Sequence, residues 1–305
     1  MNIILNRIQR TMSLHKINPF EIAARKKRPL ILDGAIGSEL HKLGVDTSTP
    51  LWSSIANLTS PNLVAKLHQD YISAGADIIT TNTFRTNPSV VKYSKFSSCS
   101  KLVIAAVKLA LDASRGKSVF VAGSNAPSED CYQSLRKLSG KELESNHQKH
   151  IDLLIDNGVD FVLNETQSHF DEIKIICRHC ARNDIPFVVS LYSDNSKTIL
   201  SGESLSNIFK YITAFGPLAI GVNCINMKSF NSIKTSLPLS FPCGFYLNLG
   251  LKKFNDGVIK NSAAPKRYSD FVKQNISLCT AFVGSCCGSS PAHTKMLKKV
   301  INVSS

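Results

Sequence analysis

The chain has 305 residues, of which 43% are hydrophobic and 19% charged, a composition typical of globular proteins. No apolar run approaches the roughly 18 residues that a membrane-spanning helix needs, so we expect no membrane partner. Lys and Arg number 36 against 22 Asp and Glu, which gives a formal net charge of +14. Because the basic residues are scattered and no nucleic-acid-binding motif accompanies them, we interpret this charge as a solvated surface. A nucleic-acid binder is the alternative.

Residues 1–28 lack the alternation of apolar elements that follows, and they predict an N-terminal extension. Arg7, Arg10 and Lys16 precede the first acidic residue, Glu21, but no signal-peptide apolar core or cleavage site is present. We expect a flexible or helical extension followed by a single domain over residues 29–305. An organellar presequence is the alternative. The nine cysteines, without a secretory signal, favour a reducing compartment and a cytoplasmic location.

Eight short apolar runs rich in β-branched residues predict eight strands. In chain order they are Leu30–Leu32, Ile78–Thr81, Val119–Ala122, Phe161–Leu163, Phe187–Leu191, Leu218–Val222, Gly244–Leu247 and Ala281–Val283. Helical spacing of apolar residues lies between several of them, over Asn62–Ala74, Leu102–Ser114, Leu143–Asn157, Asp171–Arg182 and Leu205–Phe215. Alternating strands and helices pair in parallel through right-handed crossovers. The sequence therefore predicts an α/β fold, a single-domain (β/α)8 TIM barrel, with an open doubly wound sheet as the alternative.

Polar residues and thiols follow five of the predicted strands. They are Asp33–Gly34, the run 81–83, Glu165–Thr166, Asn223–Cys224 and Cys286–Cys287. Because the active site of a barrel lies at the carboxyl ends of its strands, we expect these groups to converge there.

Cys224, Cys286 and Cys287 are the candidate metal ligands. Three protein ligands with a free fourth position suit a catalytic zinc. Adjacent cysteines on a regular strand point to opposite faces, but Gly284 and Gly288 flank the pair and permit an irregular turn. The alternative is that all three are small buried residues without a metal.

The pair Cys177 and Cys180 has the spacing of a metal or redox motif but lies in a helical pattern. Positions three apart share one face of a helix, and Cys177 continues the apolar stripe of Ile173 and Ile176. We interpret this pair as structural.

Five ordered motifs extend from about Pro29 to Leu297. They are residues 32–40, residues 74–84, Gly158–Asp160 leading to Glu165–Thr166, residues 221–224, and residues 286–288 with Pro291 and His293. Together they resemble the motifs of the homocysteine S-methyltransferase family. The resemblance implies a barrel with zinc at Cys224, Cys286 and Cys287, the same residues that the strand-end argument selects. It implies that the substrate-binding residues are Asp33, Gly34, Ala35, Thr83, Glu165 and Asn223, with the two carboxylates holding the substrate ammonium.

The expected reaction moves a methyl group from a sulfonium donor to the homocysteine thiolate that zinc activates, forming methionine. S-methylmethionine and S-adenosylmethionine are the expected donors, because a single domain lacks the modules of folate- and cobalamin-dependent relatives. No catalytic side chain is expected beyond the activated substrate thiolate, and both partners are small molecules.

The chain departs from the family pattern at three places, which bear on the donor side. Ser285 replaces a glycine, Leu247 stands where a Tyr-Pro-Asn motif has proline, and residues 125–128 diverge from a glycine-rich loop. Two alternatives are therefore kept: a catalytically silent zinc- or thiol-binding scaffold of the same fold, and a methyltransferase for another thiol or selenol such as selenocysteine. The sequence makes no prediction of oligomeric state.

Overall fold

The computed structural model of the chain describes residues 18–94, 98–194, 197–250 and 263–302. The strands are β1 (Leu30–Ile31), β2 (Ile78–Thr80), β3 (Phe120–Asn125), β4 (Phe161–Gln167), β5 (Phe187–Leu191), β6 (Ala219–Asn223), β7 (Cys243–Leu247) and β8 (Thr280–Ser285). The helices are α1 (Pro19–Arg25), α2 (Gly37–Lys42), α3 (Ala56–Thr59), α4 (Pro61–Ala74), α5 (Pro88–Val91), α6 (Cys99–Ser114), α7 (Gly140–Asp156), α8 (Phe170–Arg182), α9 (Leu205–Thr213), α10 (Met227–Ile233), α11 (Pro265–Asn275) and α12 (Pro291–Asn302). Short 3₁₀ turns lie at Trp52–Ile55 and Lys234–Ser236.

All eight strands are parallel and hydrogen-bonded in the order β1-β8-β7-β6-β5-β4-β3-β2. The remaining seam, between β1 and β2, is joined by a parallel bridge between Leu32 and Ile78. Backbone hydrogen bonds from Asp33 N to Ile78 O (2.9 Å) and from Asp77 N to Ile31 O (2.7 Å) continue it. The closed ring confirms the predicted (β/α)8 barrel and excludes the open sheet.

The predicted strands are all present, but four extend further toward their carboxyl ends. β3 continues to Asn125, β4 to Gln167, β6 to Asn223 and β8 to Ser285. The prediction that Glu165 and Thr166 follow the fourth strand is therefore wrong, because both residues lie within β4, near its carboxyl end. The pairing of this end with β5 is irregular, with a register shift between Asn164 and Gln167. Its residues are polar, so the apolar pattern used to predict strands did not include them.

Helix α1 closes the amino-terminal end of the barrel. Asn18 caps it, since its side chain accepts a hydrogen bond from Phe20 N at 3.0 Å. The Phe20 ring lies 5.8 Å from the ring of Phe161 and 5.6 Å from that of Phe282, both inside the barrel. Residues 18–28 of the predicted extension are thus packed against the barrel, whereas residues 1–17 lie outside the described residues.

A second apolar layer lies between the strands and the surrounding helices. Cys177 and Cys180 are fully buried in this layer on α8, in agreement with the structural interpretation of the pair. Burial raises the pKa of Cys177 to about 12, so this thiol stays protonated at neutral pH. Among the described residues no helix is both long and apolar enough to cross a membrane.

Candidate active site

The three candidate metal ligands meet at the carboxyl end of the barrel. Cys224 directly follows β6, and Cys286 and Cys287 directly follow β8. The Sγ atoms of Cys224 and Cys286 are 2.8 Å apart, and those of Cys286 and Cys287 are 3.9 Å apart. All three sulfur atoms lie within 4.8 Å of one another. Among the described residues this is the one group of His, Cys, Asp or Glu side chains compact enough to hold a metal ion.

The backbone around the cysteines leaves the regular strand geometry. Cys224 has φ of 56°, in the left-handed region that residues other than glycine seldom adopt. Gly288 has φ of 80°, and a Cβ atom there would come within 2.6 Å of Gly250 N. Hydrogen bonds from Cys286 N to Leu247 O and from Leu249 N to Cys287 O, both 2.8 Å, fix the turn. This irregular turn brings two adjacent sulfur atoms to one side, as the flanking glycines predict.

The thiols of this cluster influence each other's ionisation. Hydrogen bonds from the Cys224 and Cys286 thiols hold the pKa of Cys287 well below its usual range. Hydrogen bonding to its two neighbours, together with burial, raises the pKa of Cys286 well above its usual range. A negative charge on one sulfur is therefore shared by S–H donors of the other two, an arrangement suited to replacement of those protons by a cation.

The cluster opens into a cavity of about 1300 Å³ at the mouth of the barrel. Its inner wall carries Asp33 and Glu165 in addition to the three cysteines, so the structure brings these five predicted residues together. A soft sulfur site and a pair of carboxyl groups in one pocket can bind a molecule that carries both a thiol and an ammonium.

Asp33 lies just beyond β1 and is almost completely buried. One oxygen, Oδ2, accepts from Thr80 N at 2.7 Å, and the Thr80 hydroxyl lies 3.1 Å from both carboxyl oxygens. Burial nevertheless raises the pKa of Asp33 well above its usual range, and the neighbouring charge of Glu165 adds to this. A cation bound between the two carboxyl groups would reverse both effects.

Glu165 is 9% exposed at the carboxyl end of β4. Its Oε1 accepts from the Ser124 hydroxyl, and its Oε2 accepts from the Tyr246 hydroxyl at 3.4 Å. Burial raises the pKa of Glu165 to about 7 despite these two donors. The carboxyl group therefore changes charge near neutral pH, and a nearby ammonium would favour its ionised form.

Gly34 and Ala35 also line the cavity, but the backbone N–H of Ala35 is already hydrogen-bonded within the protein. Ala35 N donates to Ser289 Oγ at 3.0 Å, and the Tyr71 hydroxyl donates to Ala35 O at 2.9 Å. A Cβ atom on Gly34 would come within 2.7 Å of both hydroxyl groups. The Ala35 amide is thus already engaged, while Gly34 allows the β1 end to pass close to Tyr71 and Ser289.

Thr83 and Asn223 are fully buried and do not line the cavity. The Thr83 hydroxyl donates to Ser124 O at 2.7 Å. Asn223 makes two 2.8 Å hydrogen bonds to Thr166: its Oδ1 accepts from the backbone N, and its Nδ2 donates to the hydroxyl. Since Thr166 has φ of 59° and follows Glu165, Asn223 fixes the turn that orients that carboxyl group. The structure therefore does not bring Thr83 and Asn223 onto the cavity wall with the other predicted residues.

Sequence reasoning missed several residues that shape the cavity. Ser124 and Tyr246 hold Glu165, and Tyr132 and Tyr192 line the outer part. Ser124 belongs to β3, whose predicted end at Ala122 stopped two residues short of it. Tyr246 lies within β7, whereas Tyr132 and Tyr192 follow their strands at different distances, so no common spacing connects the three tyrosines to the cysteines.

The two departures beside the cysteines have clear local consequences. Ser285 ends β8, and its buried hydroxyl has no hydrogen-bond partner among the described residues. Leu247 has an N–H group that proline would lack, and this group donates to the Tyr268 hydroxyl at 3.3 Å. The Tyr268 hydroxyl in turn donates to Gly284 O at 2.5 Å. The replacement of proline is thus accommodated by a link between β7 and β8, leaving the cysteine turn intact.

Comparison with known proteins agrees with this geometry. The homocysteine S-methyltransferase family model matches residues 30–301. Homocysteine S-methyltransferase 2 of Zea mays is 28% identical over 90% of this chain and 90% of its own length. Selenocysteine Se-methyltransferase of Brassica oleracea var. italica is 22% identical over 88% of this chain and 88% of its own length.

The fold is shared with a solved structure, the homocysteine methyltransferase MmuM from Escherichia coli in its metallated form. The TM-score is 0.80 at 23% identity, covering 92% of this chain and 99% of that one. The family model spans the barrel from its first strand to its last helix and includes all three clustered cysteines. The chain therefore belongs to the homocysteine S-methyltransferase family and is an S-methyltransferase enzyme.

Proposed function

We propose that the protein transfers a methyl group from a sulfonium donor to the thiolate of homocysteine, forming methionine, with zinc held by Cys224, Cys286 and Cys287. The observation that carries this proposal is the convergence of three cysteine sulfurs within 4.8 Å of one another at the wall of a cavity that also holds two carboxyl groups.

The donor set fits zinc by its chemistry. Three sulfur ligands from two strand ends match a catalytic zinc site, which keeps its fourth position for substrate. Zinc–sulfur distances of about 2.3 Å place tetrahedral sulfurs about 3.8 Å apart. The Cys286–Cys287 distance of 3.9 Å already meets this value, and the Cys224–Cys286 distance of 2.8 Å requires a shift of about 1 Å. When bound, zinc would supply the Lewis acidity that lowers the pKa of the acceptor thiol from about 8.5 into the neutral range.

The remaining work falls to the chain's own residues. Asp33 and Glu165 bind and orient the substrate ammonium from two strand ends, which points the substrate thiol toward the cysteines. Ser124 and Tyr246 hold the Glu165 carboxyl group by the hydrogen bonds described above. The three cysteines bring negative charge to the site, which keeps the acceptor sulfur electron-rich toward a cationic donor. Asp33, Glu165 and Cys224 are buried at this inner wall, and an environment of low polarity favours charge neutralisation during transfer.

A selenol acceptor is a second candidate, favoured by the similarity to a selenocysteine Se-methyltransferase across 88% of the chain. Selenocysteine has a shorter side chain than homocysteine, so the distance from the carboxyl pair to the cysteines decides between them. Both acceptors are to be compared with the same donor.

The first test is the metal content of protein purified under reducing conditions without chelator. We expect about one zinc per chain, lost when Cys224, Cys286 or Cys287 is changed singly to Ser. The matched control is Cys177→Ser, which removes a fully buried thiol away from the cluster and is expected to keep the metal. Equal zinc content in all four variants would contradict the site.

The second test is turnover with S-methylmethionine and S-adenosylmethionine as donors. We expect several methionine molecules per chain from zinc-loaded protein, and none from the three cluster variants. Binding of homocysteine without turnover on either donor would instead identify a silent thiol-binding scaffold.

A further inference from the structure

The cavity has space for more than the acceptor. Its volume of about 1300 Å³ exceeds the roughly 300–1,000 Å³ of pockets that enclose drug-sized ligands. An amino acid bound at Asp33, Glu165 and the cysteines occupies only the inner end. The outer end is lined by residues 128–134 and by Tyr192 and Asp194, and so offers a second subsite.

Residues 126–139, which connect β3 to α7 and which we call the strap, form one side of this outer end. Glu172 of α8 anchors the strap, because it accepts from Ser128 N at 2.8 Å and pairs with Arg136 at 3.1 Å. Glu172 is fully buried, and although burial opposes it, the His147 hydrogen bond and the Arg136 charge hold the pKa of Glu172 at about 2. A second carboxylate, Glu129, accepts from Lys137 N at 3.0 Å within the strap. The strap is thus a fixed wall.

This wall places Tyr132 beside the cysteine cluster. Tyr132 lines the cavity together with Cys224, Cys286 and Cys287. Its ring packs edge-to-face on Tyr192, with ring centroids 5.0 Å apart and an interplanar angle of 78°. Tyr192 is only 7% exposed, whereas Tyr132 is 50% exposed within the cavity. Half of the Tyr132 surface therefore remains open for a ligand that sits close to the sulfurs.

The electrostatic character of this end suits a cation. Exposed carboxylates of Asp130 and Asp194 line the same part of the cavity, and the thiol cluster adds negative charge when ionised. The basic side chains of Arg85 and Lys137 also line the cavity, and the Arg85 guanidinium lies over the Phe84 ring, 5.6 Å from the centroid. An aromatic ring within about 6 Å of a cation attracts it through its quadrupole.

Building on the proposed function, we propose that Tyr132 is a specificity-determining residue for the methyl donor. Its open ring, supported by Tyr192, binds the sulfonium group next to the acceptor sulfur. During transfer the bond between the donor sulfur and its methyl carbon breaks, and the electron pair stays on the donor sulfur. A lone pair of the acceptor sulfur forms the new carbon–sulfur bond. The donor becomes a neutral thioether, which the ring holds less strongly, so product release is assisted.

In the transition state much of the positive charge is still on the donor, so the ring binds the bound donor and the transition state to a similar extent. Tyr132→Leu is therefore expected to raise the KM for S-methylmethionine about tenfold while kcat stays within about twofold. Tyr132→Phe keeps the ring and is expected to stay within about threefold of the wild-type KM. The matched control is Tyr93→Leu, which removes an exposed tyrosine from the rim of the same cavity and is expected to change neither constant.

Direct binding to the zinc-loaded protein provides a readout that does not depend on turnover. Calorimetry compares S-methylmethionine with 2-amino-5-methylhexanoic acid, a neutral analogue in which carbon replaces the charged sulfur. Wild-type protein and Tyr132→Phe are expected to prefer the sulfonium about tenfold, and Tyr132→Leu to lose most of that preference. An unchanged preference in Tyr132→Leu, with normal homocysteine binding and turnover in the wild type, would overturn the Tyr132 assignment alone. Absence of sulfonium turnover in the wild type would instead overturn the proposed function.

Discussion

At the scale of single residues, the site separates side chains that face the ligand from those that hold them in place. Glu165 faces the cavity, whereas Asn223 reaches it only through Thr166. The family resemblance implied a substrate-binding role for both residues. The difference arises because Asn223 uses its amide to satisfy a neighbouring strand end, and a one-dimensional pattern does not show which partner a buried amide finds.

The first prediction concerns the pH dependence of ligand binding at Glu165. Because its pKa is about 7, the carboxyl group is neutral below that pH and attracts an ammonium only above it. We expect the affinity for methionine, which has an ammonium but no ionisable thiol, to fall by up to about tenfold per unit as pH decreases below 7. Calorimetry between pH 5.5 and 8.5 measures this, and Glu165→Gln is expected to bind weakly without the pH step. The same step in both proteins would contradict the assignment.

The contribution of Glu165 to folding stability has the opposite pH dependence from its contribution to ligand binding. Its pKa rises from the ordinary 4.5 to about 7 on folding, so the folded protein binds more protons than the unfolded chain in that window. Stability from this group is present at low pH and is lost as pH rises through 7. Glu165→Gln is therefore expected to be at least as stable as the wild type at pH 8, which separates loss of binding from loss of folding.

The second prediction concerns Asn223. Asn223→Ala leaves the buried Thr166 N–H without its acceptor, at a cost of about 1–3 kcal/mol in free energy of unfolding. We expect the KM for homocysteine to rise because Glu165 loses its orientation, while zinc content is unchanged. The matched control is Asn226→Ala, which removes the cap of α10 on the same loop and is expected to cost about 1 kcal/mol without changing KM. Equal KM values in both variants would show that Asn223 only stabilises.

At the scale of elements, helix α1 shows how a segment outside the predicted domain completes the barrel. The eight-strand pattern does not include it, yet its buried face supplies Phe20 to the amino-terminal end of the interior. The carboxyl end carries the cavity, so α1 and the active site lie at opposite ends. Helix α1 is therefore expected to contribute to stability and not to chemistry.

The third prediction tests this separation. Phe20→Ala is expected to lower the free energy of unfolding by about 3–5 kcal/mol, because it leaves a cavity between Phe161 and Phe282. The KM values for both substrates are expected to stay within twofold below the unfolding temperature. Urea unfolding and steady-state kinetics measure the two effects. Glu21→Ala on the exposed face of the same helix is the control, with an expected cost below about 1 kcal/mol.

At the scale of the whole molecule, closure of the barrel depends on the short seam between β1 and β2. Asp77, at the start of β2, accepts hydrogen bonds from both terminal nitrogens of Arg28 at 2.8 and 2.9 Å and from Ile31 N at 2.9 Å. The Arg28 charge and these donors hold the pKa of Asp77 below its usual range, outweighing the opposing effect of burial. One carboxylate thus ties the start of the barrel to its second strand.

The fourth prediction follows from that tie. Asp77→Asn is expected to lower the free energy of unfolding by about 1–3 kcal/mol at pH 7. Because the pKa is lowered on folding, the contribution is complete above about pH 4 and is lost as pH falls through the folded value. The difference between variant and wild type is therefore expected to shrink below pH 4. Asp70→Asn, which disrupts an exposed pair with Lys66, is the control and is expected to change little at either pH.

The sequence by itself determined the barrel and the meeting of the three cysteines that we propose as metal ligands. Buried parallel strands require continuous apolar runs, and the carboxyl ends of such strands meet at one face, so Cys224 and the Cys286–Cys287 pair had to converge with Asp33 and Glu165. Those inferences rest on chain periodicity and on the chemistry of each residue type. These inferences stay correct even where a predicted strand end differs from the observed one by a few residues.

Only the tertiary structure decided which residues hold that site and which face the second substrate. Tyr132 lines the same cavity as the cysteines because Glu172, distant in sequence, fixes the strap through Ser128 and Arg136. The Asn223 side chain points to Thr166 and not into the cavity, because its amide makes two hydrogen bonds to that residue on a neighbouring part of the barrel. Contacts between loops depend on side-chain packing and on hydrogen bonds across the chain, and neither leaves a periodic signal in the sequence.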